Sequence, residues 1–306
     1  MDIQALKVFR TVAQNGSFSA AAQEMNYAQS NISTKIQNLE KELNTALFYR
    51  YNRGITLTPK GQLLLQYSDS LLHLFDETED AMRDDGTARG PLALGSMETT
   101  ACVHLPRLLA EYHTDYPQVQ LSLTTGNTAR NAEKILDHTI DGAFIAGPIK
   151  HPELTGIPFT NETLYLVTDS QQPPLSSWSE LQNRTLLVFP QGCSYRARLE
   201  QLLQQEELLP ERTIEISSLN ALIASLCAGL GISLLPESVI RPYTEHGLIR
   251  KYPVPSSICS VSTFFVYRRN HINTMAFTKF LEAAAAYQET CTVCSSFFTQ
   301  SQSNCR

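Results

Sequence analysis

Six polar side chains stand close together near the start of this 306-residue chain: Gln29, Ser30, Asn31, Ser33, Thr34 and Lys35. The apolar residues among and after them, Ile32, Ile36, Leu39 and Leu43, step by 4, 3 and 4, a single helical stripe. Off that stripe lie amides, hydroxyls and one lysine. Such groups present donors and acceptors suited to base edges in a major groove. Long charged side chains in their place would bind phosphate without reading sequence.

A second set of polar residues follows strand-like segments further on. Ser96, Thr99 and Thr100 come after 92-LALG-95, and Asn127 and Thr128 after 119-VQLSLTT-125. Ser194 and Arg196 come after 186-LLVF-189. In open α/β sheets ligands sit beyond the carboxyl ends of strands, at helix N-termini, where hydroxyls and free N–H groups favour anions. Arg196 is the countercharge expected there, and Glu98 is discordant, because a carboxylate repels an anion unless it faces away. Taken singly, Ser96, Thr99, Thr128 and Ser194 read equally well as helix caps; as a cluster they point to a small-molecule site.

The remaining chemistry is sparse. No HExxH, G-x-S-x-G, P-loop or dinucleotide glycine motif occurs, and no nucleophile–base constellation is found. No catalytic activity, metal or cofactor is therefore expected. Seven scattered cysteines suit free thiols in a reducing compartment. Cys193 at the mouth of the expected pocket, and Cys291, Cys294 and Cys305 in a Ser/Gln-rich tail, leave a thiol-sensing or protein-interacting second domain as the alternative.

The elements that must position these groups fall into three parts. Ala5, Val8, Phe9 and Val12 mark a helix over 3–14, ended by Asn15-Gly16; Ser17 caps a second helix bearing Phe18, Ala21, Ala22 and Met25. A three-residue break leads into the polar helix, which makes a helix-turn-helix. Two β-prone runs in 47-LFYRYNRGITLT-58 form a wing with Arg50 and Arg53 at its tip, placed to meet the DNA backbone or minor groove. Residues 1–60 carry seven Lys/Arg against four Asp/Glu, a balance of +3, while the rest carries −9 of the total −6. A basic head on an acidic body separates two jobs.

Thr58-Pro59 then starts a long helix whose Leu64, Tyr67, Leu71, Leu74, Thr78 and Ala81 repeat as a coiled-coil seam. From 91 to 288, strand-like and helix-like segments alternate, which implies parallel sheets arranged as two lobes around a cleft.

The segment 16-GSFSAAAQEMNYAQSNISTKIQNLEKELNTALFYRYNRGITLTPKG-61 resembles the winged helix-turn-helix of LysR-type transcriptional regulators. The GSF–AA opening, Gln29 and Ser33, the LE-x-EL exit, LF-x-R and LTP-x-G carry the likeness; Ser30-Asn31 replaces the family's usual Pro-Ala. Landmarks in the body (LALGS, LPRLLAEYHTDYPQVQLSL, the segment around Asp141, AGLGISLLP) resemble the family's periplasmic-binding-protein-like effector domain. The resemblance implies an α/β protein with a winged helix-turn-helix domain at 1–58, a dimerising linker helix at 59–86 and an effector domain at 91–288. Lobe I would be 91–161 with 267–288, lobe II 162–266, and 289–306 a flexible tail. It also implies a double-stranded DNA operator, a small-molecule effector, RNA polymerase as a further partner, and self-association to a dimer and on to a tetramer. The polar strand-end turns make that effector polar or anionic, and an N-terminus without a signal-peptide core and no membrane-length apolar run point to a cytoplasmic location. A solute-binding protein would carry a signal peptide and no basic head, so the regulator is the favoured class.

Overall fold

A computed structural model describes residues 1–51, 54–82, 86–147 and 150–300, with Asp80 and 288–300 described by backbone alone. The chain forms two compact units, Met1–Asp85 with Asp137–Thr139, and Gly86–Leu136 with Ile140–Arg306.

In the first unit, α1 (Ile3–Asn15) begins where the Asp2 carboxylate accepts the Ala5 N–H at 2.6 Å. It ends at Gly16, whose φ of 60° is left-handed. Ser17 caps α2 (Phe18–Glu24), and a short turn with Asn26 at positive φ leads into α3 (Gln29–Glu42). Val8, Phe9, Val12, Ala21, Ala22, Ile32, Ile36 and Leu39 are fully or almost fully buried against one another. That is the stripe expected from the spacing. Strands β1 (Phe48–Tyr51) and β2 (Gly54–Leu57) pair antiparallel as the wing, in the register Phe48↔Leu57.

Helix α4 (Pro59–Met82) follows Thr58, whose hydroxyl accepts the Gly61 N–H at 3.0 Å. Gly61 cannot be replaced freely, because a Cβ there would lie 2.2 Å from the Leu47 carbonyl oxygen. The expected seam divides along the helix. Leu64 packs on the head's core, whereas Tyr67 (62% exposed), Leu71 (43%) and Leu74 (36%) face outward together with Leu63.

One side chain ties α3 to the wing. Glu40 Oε1 accepts the Leu47 N–H at 2.8 Å and the Phe48 N–H at 3.3 Å, and Oε2 accepts from Arg50 at 3.0 Å.

The second unit runs β3 (Gly90–Ser96), α5 (Glu98–Val103), α6 (Leu105–Asp115), β4 (Val119–Thr125), α7 (Thr128–Leu136), β5 (Gly142–Ala146) and β6 (Leu154–Asp169). After a 3-10 turn (Trp178–Asn183) come β7 (Thr185–Val188), α8 (Ser194–Gln205), β8 (Arg212–Glu215), α9 (Leu219–Cys227), β9 (Ser233–Pro236) and α10 (Glu237–Glu245). β10 (Ile249–Pro253), β11 (Ser260–Arg268) and α11 (Met275–Gln300) complete it. The backbone of α11 thus continues into the segment expected as a tail; Cys305 lies outside the described residues, as do the side chains of Cys291 and Cys294.

The sheets are mixed rather than parallel. β3 pairs parallel with β4 and β5, and β7 with β8, but β11 pairs antiparallel with β5 and β6, and β6 with β9 and β10. The reason lies in β6. Its residues 154–163 pair with β11 in lobe I, and its residues 164–169 pair with β9 and β10 in lobe II. The chain therefore passes from one lobe to the other between Thr163 and Leu164, beside Glu162. The return differs, because β11 is bonded to the lobe I half of β6 from Ser260 onward, so the chain has left lobe II before 260 and not at 266. Separate apolar cores fill the lobes, around Phe144, Phe159, Phe265 and Phe280 in the first and around Leu166, Leu187, Leu222 and Leu235 in the second.

The role of Glu40 yields a prediction. Glu40→Ala leaves two backbone N–H groups and a guanidinium without their acceptor, a loss of about 1–3 kcal/mol. Amide hydrogen exchange at Leu47 and Phe48 should accelerate accordingly, and unchanged protection would refute the role.

Candidate nucleic-acid interface and inter-lobe cavity

On α3, Gln29, Ser30, Asn31 and Thr34 are exposed, and Ser33 and Lys35 are half-buried beside Ile32 and Ile36. None of the six side chains makes a hydrogen bond or ion pair with another described residue. The helix start is equally open: Ala28 gives no side-chain cap, and the first turn holds no acidic residue. Uncapped N–H groups at a helix start are suited to receive phosphate oxygen.

Arg50 departs from expectation. It lies in β1 opposite Ile55, one pair before the last described pair Tyr51↔Gly54, and its guanidinium is held by Glu40 and by the face of the Phe18 ring, 5.3 Å away. It ties the wing to α3 and α2. Arg53 lies outside the described residues. Tyr49 and Tyr51, on the opposite face of β1 from Phe48, are exposed with ring centroids 6.4 Å apart.

In the second unit, a cavity of about 350 Å³ opens between the lobes at the ends of β3, β4 and β7. Of the residues expected to bind an effector, Thr99, Asn127, Thr128 and Ser194 line it. Ser96 and Thr100 do not: both are buried, and the Ser96 hydroxyl donates to the Met97 carbonyl at 2.9 Å.

Arg196 is not the countercharge. Its guanidinium donates to Glu200 at 2.8 Å, to Glu215 at 2.7 Å and to the Phe189 carbonyl at 3.1 Å, outside the cavity. The lining cation is Arg130, in the first turn of α7, which the sequence reading missed. Its guanidinium has no hydrogen-bond or ion-pair partner among the described residues. The position two residues after Thr128 was the signal available for it.

The lobes are joined across the cavity by polar contacts. The Thr99 hydroxyl and the Tyr195 phenol are 2.9 Å apart, and Asn127 Nδ2 donates to the Gln191 carbonyl at 3.1 Å. Gly192, at φ 86°, permits that approach, since a Cβ there would lie 2.9 Å from Asn127 Nδ2. Glu98 Oε1 accepts the Leu219 N–H at 3.0 Å, at the start of α9. The discordant carboxylate thus sits at the positive end of a helix in the other lobe. Near the crossover, Glu162 Oε1 accepts from the Ser238 hydroxyl at 2.8 Å and from His104 Nε2, linking β6 to both lobes.

Local caps account for other polar groups. Asn127 Oδ1 accepts the Arg130 N–H at 2.9 Å, and the Thr128 hydroxyl accepts the Ala146 N–H at 3.2 Å. Ser194 Oγ is buried with no partner among the described residues, and the Cys193 thiol, just before α8, lies against the backbone N–H groups of Tyr195 and Arg196. Burial pushes the Tyr195 phenol well up, so it stays protonated and can donate. Burial likewise pushes up the thiols of Cys193, Cys102 and Cys227.

Comparison with known proteins agrees with this geometry. Residues 3–62 match the model for the bacterial regulatory helix-turn-helix protein, lysR family, and residues 85–289 match the LysR substrate binding domain. The chain is 48% identical to the HTH-type transcriptional regulator GltR of Bacillus subtilis (strain 168), over 92% of this chain and 95% of that one. It is 40% identical to the regulator CzcR of Bacillus anthracis, over 92% and 96%. Among solved structures, full-length CbnR complexed with its target DNA is 25% identical, with a TM-score of 0.68 over 94% of this chain and 100% of that one. Full-length OxyR from Pseudomonas aeruginosa shares the fold at 24% identity, with a TM-score of 0.66 over 96% of each chain. No helix among the described residues is long and apolar enough to cross a membrane. A helix-turn-helix unit with an open polar face, joined to a two-lobed unit with a cavity, thus places the chain in the LysR family, as a DNA-binding transcriptional regulator with an effector-binding domain.

Proposed function

We propose that α3 reads the operator directly and that the inter-lobe cavity binds a small polar effector carrying an anionic group. The observation that carries this reading is the pairing of two unsatisfied surfaces. Six α3 side chains have no partner among the described residues, and the cavity is lined by a guanidinium without a partner among them and by the start of α8. The regulator acts without catalysis, in the cytoplasm, as a dimer formed through the exposed Leu63–Tyr67–Leu71–Leu74 stripe of α4.

Magnitudes favour control by lobe closure. The two neutral contacts between the lobes contribute about 0.5–1.5 kcal/mol each and the Glu98 contact about 1.5–3 kcal/mol. A ligand's coupling energy is typically about 1–3 kcal/mol. Effector binding is therefore on the scale of the bonds it must reinforce or replace, and only a ligand that prefers one lobe arrangement shifts the population.

Burial of Cys193 disfavours the thiolate that redox sensing requires. The thiol-sensor alternative accordingly calls for a Cys193 that alkylates quickly at neutral pH, whereas the structure-based expectation is a rate below that of a free thiol in solution.

Three outcomes are expected. Ser33→Ala with Thr34→Ala should weaken specific operator binding by about 1–3 kcal/mol per lost base contact, with non-specific binding less affected; full-strength specific binding in a salt-controlled titration would refute the recognition assignment. Leu71→Asp places a charge in the α4 stripe and should split the dimer in sedimentation experiments. Arg130→Ala and Gly192→Val should blunt the change in operator binding produced by the host's small-metabolite extract. A response equal to wild type would move the effector site elsewhere.

A further inference from the structure

The cavity's ionised groups are of opposite sign. Glu98 lines it with a carboxylate whose Oε1 takes the Leu219 N–H at 3.0 Å and whose Oε2 has no partner among the described residues. Arg130 lines it with an unpaired guanidinium, alongside the N-terminus of α8 and the buried, partnerless Ser194 Oγ. The other lining groups are uncharged and include Met97, Phe189 and Pro190.

A plain anion would satisfy Arg130 and face Glu98, and a plain amine would do the reverse. A dicarboxylate would leave its second charge without a countercharge. Resting on the reading of this cavity as the effector site, we infer that it takes a zwitterion of zero net charge: a small α-amino acid with a neutral side chain. Its carboxylate meets the Arg130 fork and the Ser194 hydroxyl and N–H, where bidentate, charge-assisted bonds are strongest. Its ammonium, with three donors, meets Glu98 Oε2 and the lone pairs of the Thr99 hydroxyl. Its side chain lies on Met97 and Phe189. A volume of about 350 Å³ is near the small end of ligand pockets, about 300–1,000 Å³, and suits a molecule of this size.

The test is titration calorimetry of the full-length protein with each neutral L-amino acid applied singly. Any that binds is repeated as its N-acetyl and amide derivatives, and succinate and benzoate serve as plain anions. At least one amino acid should bind, and blocking either of its charges should weaken it by about tenfold or more. Glu98→Gln keeps an acceptor for Leu219 and removes the charge. It should weaken the amino acid by about tenfold or more, and Arg130→Gln likewise. The sign at Glu98 is decisive, because loss of that carboxylate would tighten a plain anion. Binding of succinate or benzoate with no amino acid binding, or tighter binding by the Glu98→Gln protein, overturns the assignment. Failure of every amino acid also overturns it, while the extract assay judges the cavity separately. An amino acid that binds with equal affinity to both variants overturns the zwitterion assignment and the cavity reading together.

Discussion

A single strand, β6, belongs to two sheets, and the second unit is arranged around that fact. Its backbone groups must be paired along its whole buried length, because an orphaned N–H or C=O inside a protein costs about 1–3 kcal/mol. Between Thr163 and Leu164 the partner changes from β11 to β9 and β10. Each lobe keeps its own ladder and its own apolar core, and the chain passes between them here and again between β10 and β11. Glu162 stands there with His104 and Ser238 bonded to one carboxylate oxygen. The loops beyond β3, β4 and β7 then face each other across the cavity, and the Thr99–Tyr195, Asn127–Gln191 and Glu98–Leu219 bonds cross it.

Charge placement in that gap follows from which arginine is already engaged. Arg196 and Arg130 both sit in the first turn of a helix entering the cleft region. Glu200, four residues along the same helix, and Glu215 take the first. Among the described residues no carboxylate is within ion-pairing distance of the second, although Glu98 lines the same cavity. Such engagement of one guanidinium and not the other is a matter of neighbours more than of residue type.

Much of this was legible in the chain. The helical stripes of α1 and α3, the caps at Ser17 and Thr58 and the stop at Gly16 all rest on local rules of spacing and turn chemistry. What escaped depends on partners distant in sequence. β8, Arg212–Glu215, is exposed throughout and has no burial pattern to reveal it. The antiparallel crossing by β6 and β11 cannot be inferred from alternation of strand and helix, since alternation implies parallel pairing only within one lobe. Arg50 was placed at the wing tip by its nearness to Asn52, but the register sets it opposite Ile55 and within reach of Glu40. The Arg196–Glu200 spacing of four, by contrast, was visible and could have warned that this cation was already paired.

The polar face of α3 has a consequence for how such a protein diversifies. Its six side chains make no hydrogen bond or ion pair with another described residue, while Ile32, Ile36 and Leu39 on the same helix pack into the head's core. Changes on the outer face leave the packing untouched, so a duplicated copy of this gene could drift to a new operator without crossing a stability threshold. Mutational freedom and mutational fragility here alternate along one helix, residue by residue, with a period of about 3.6.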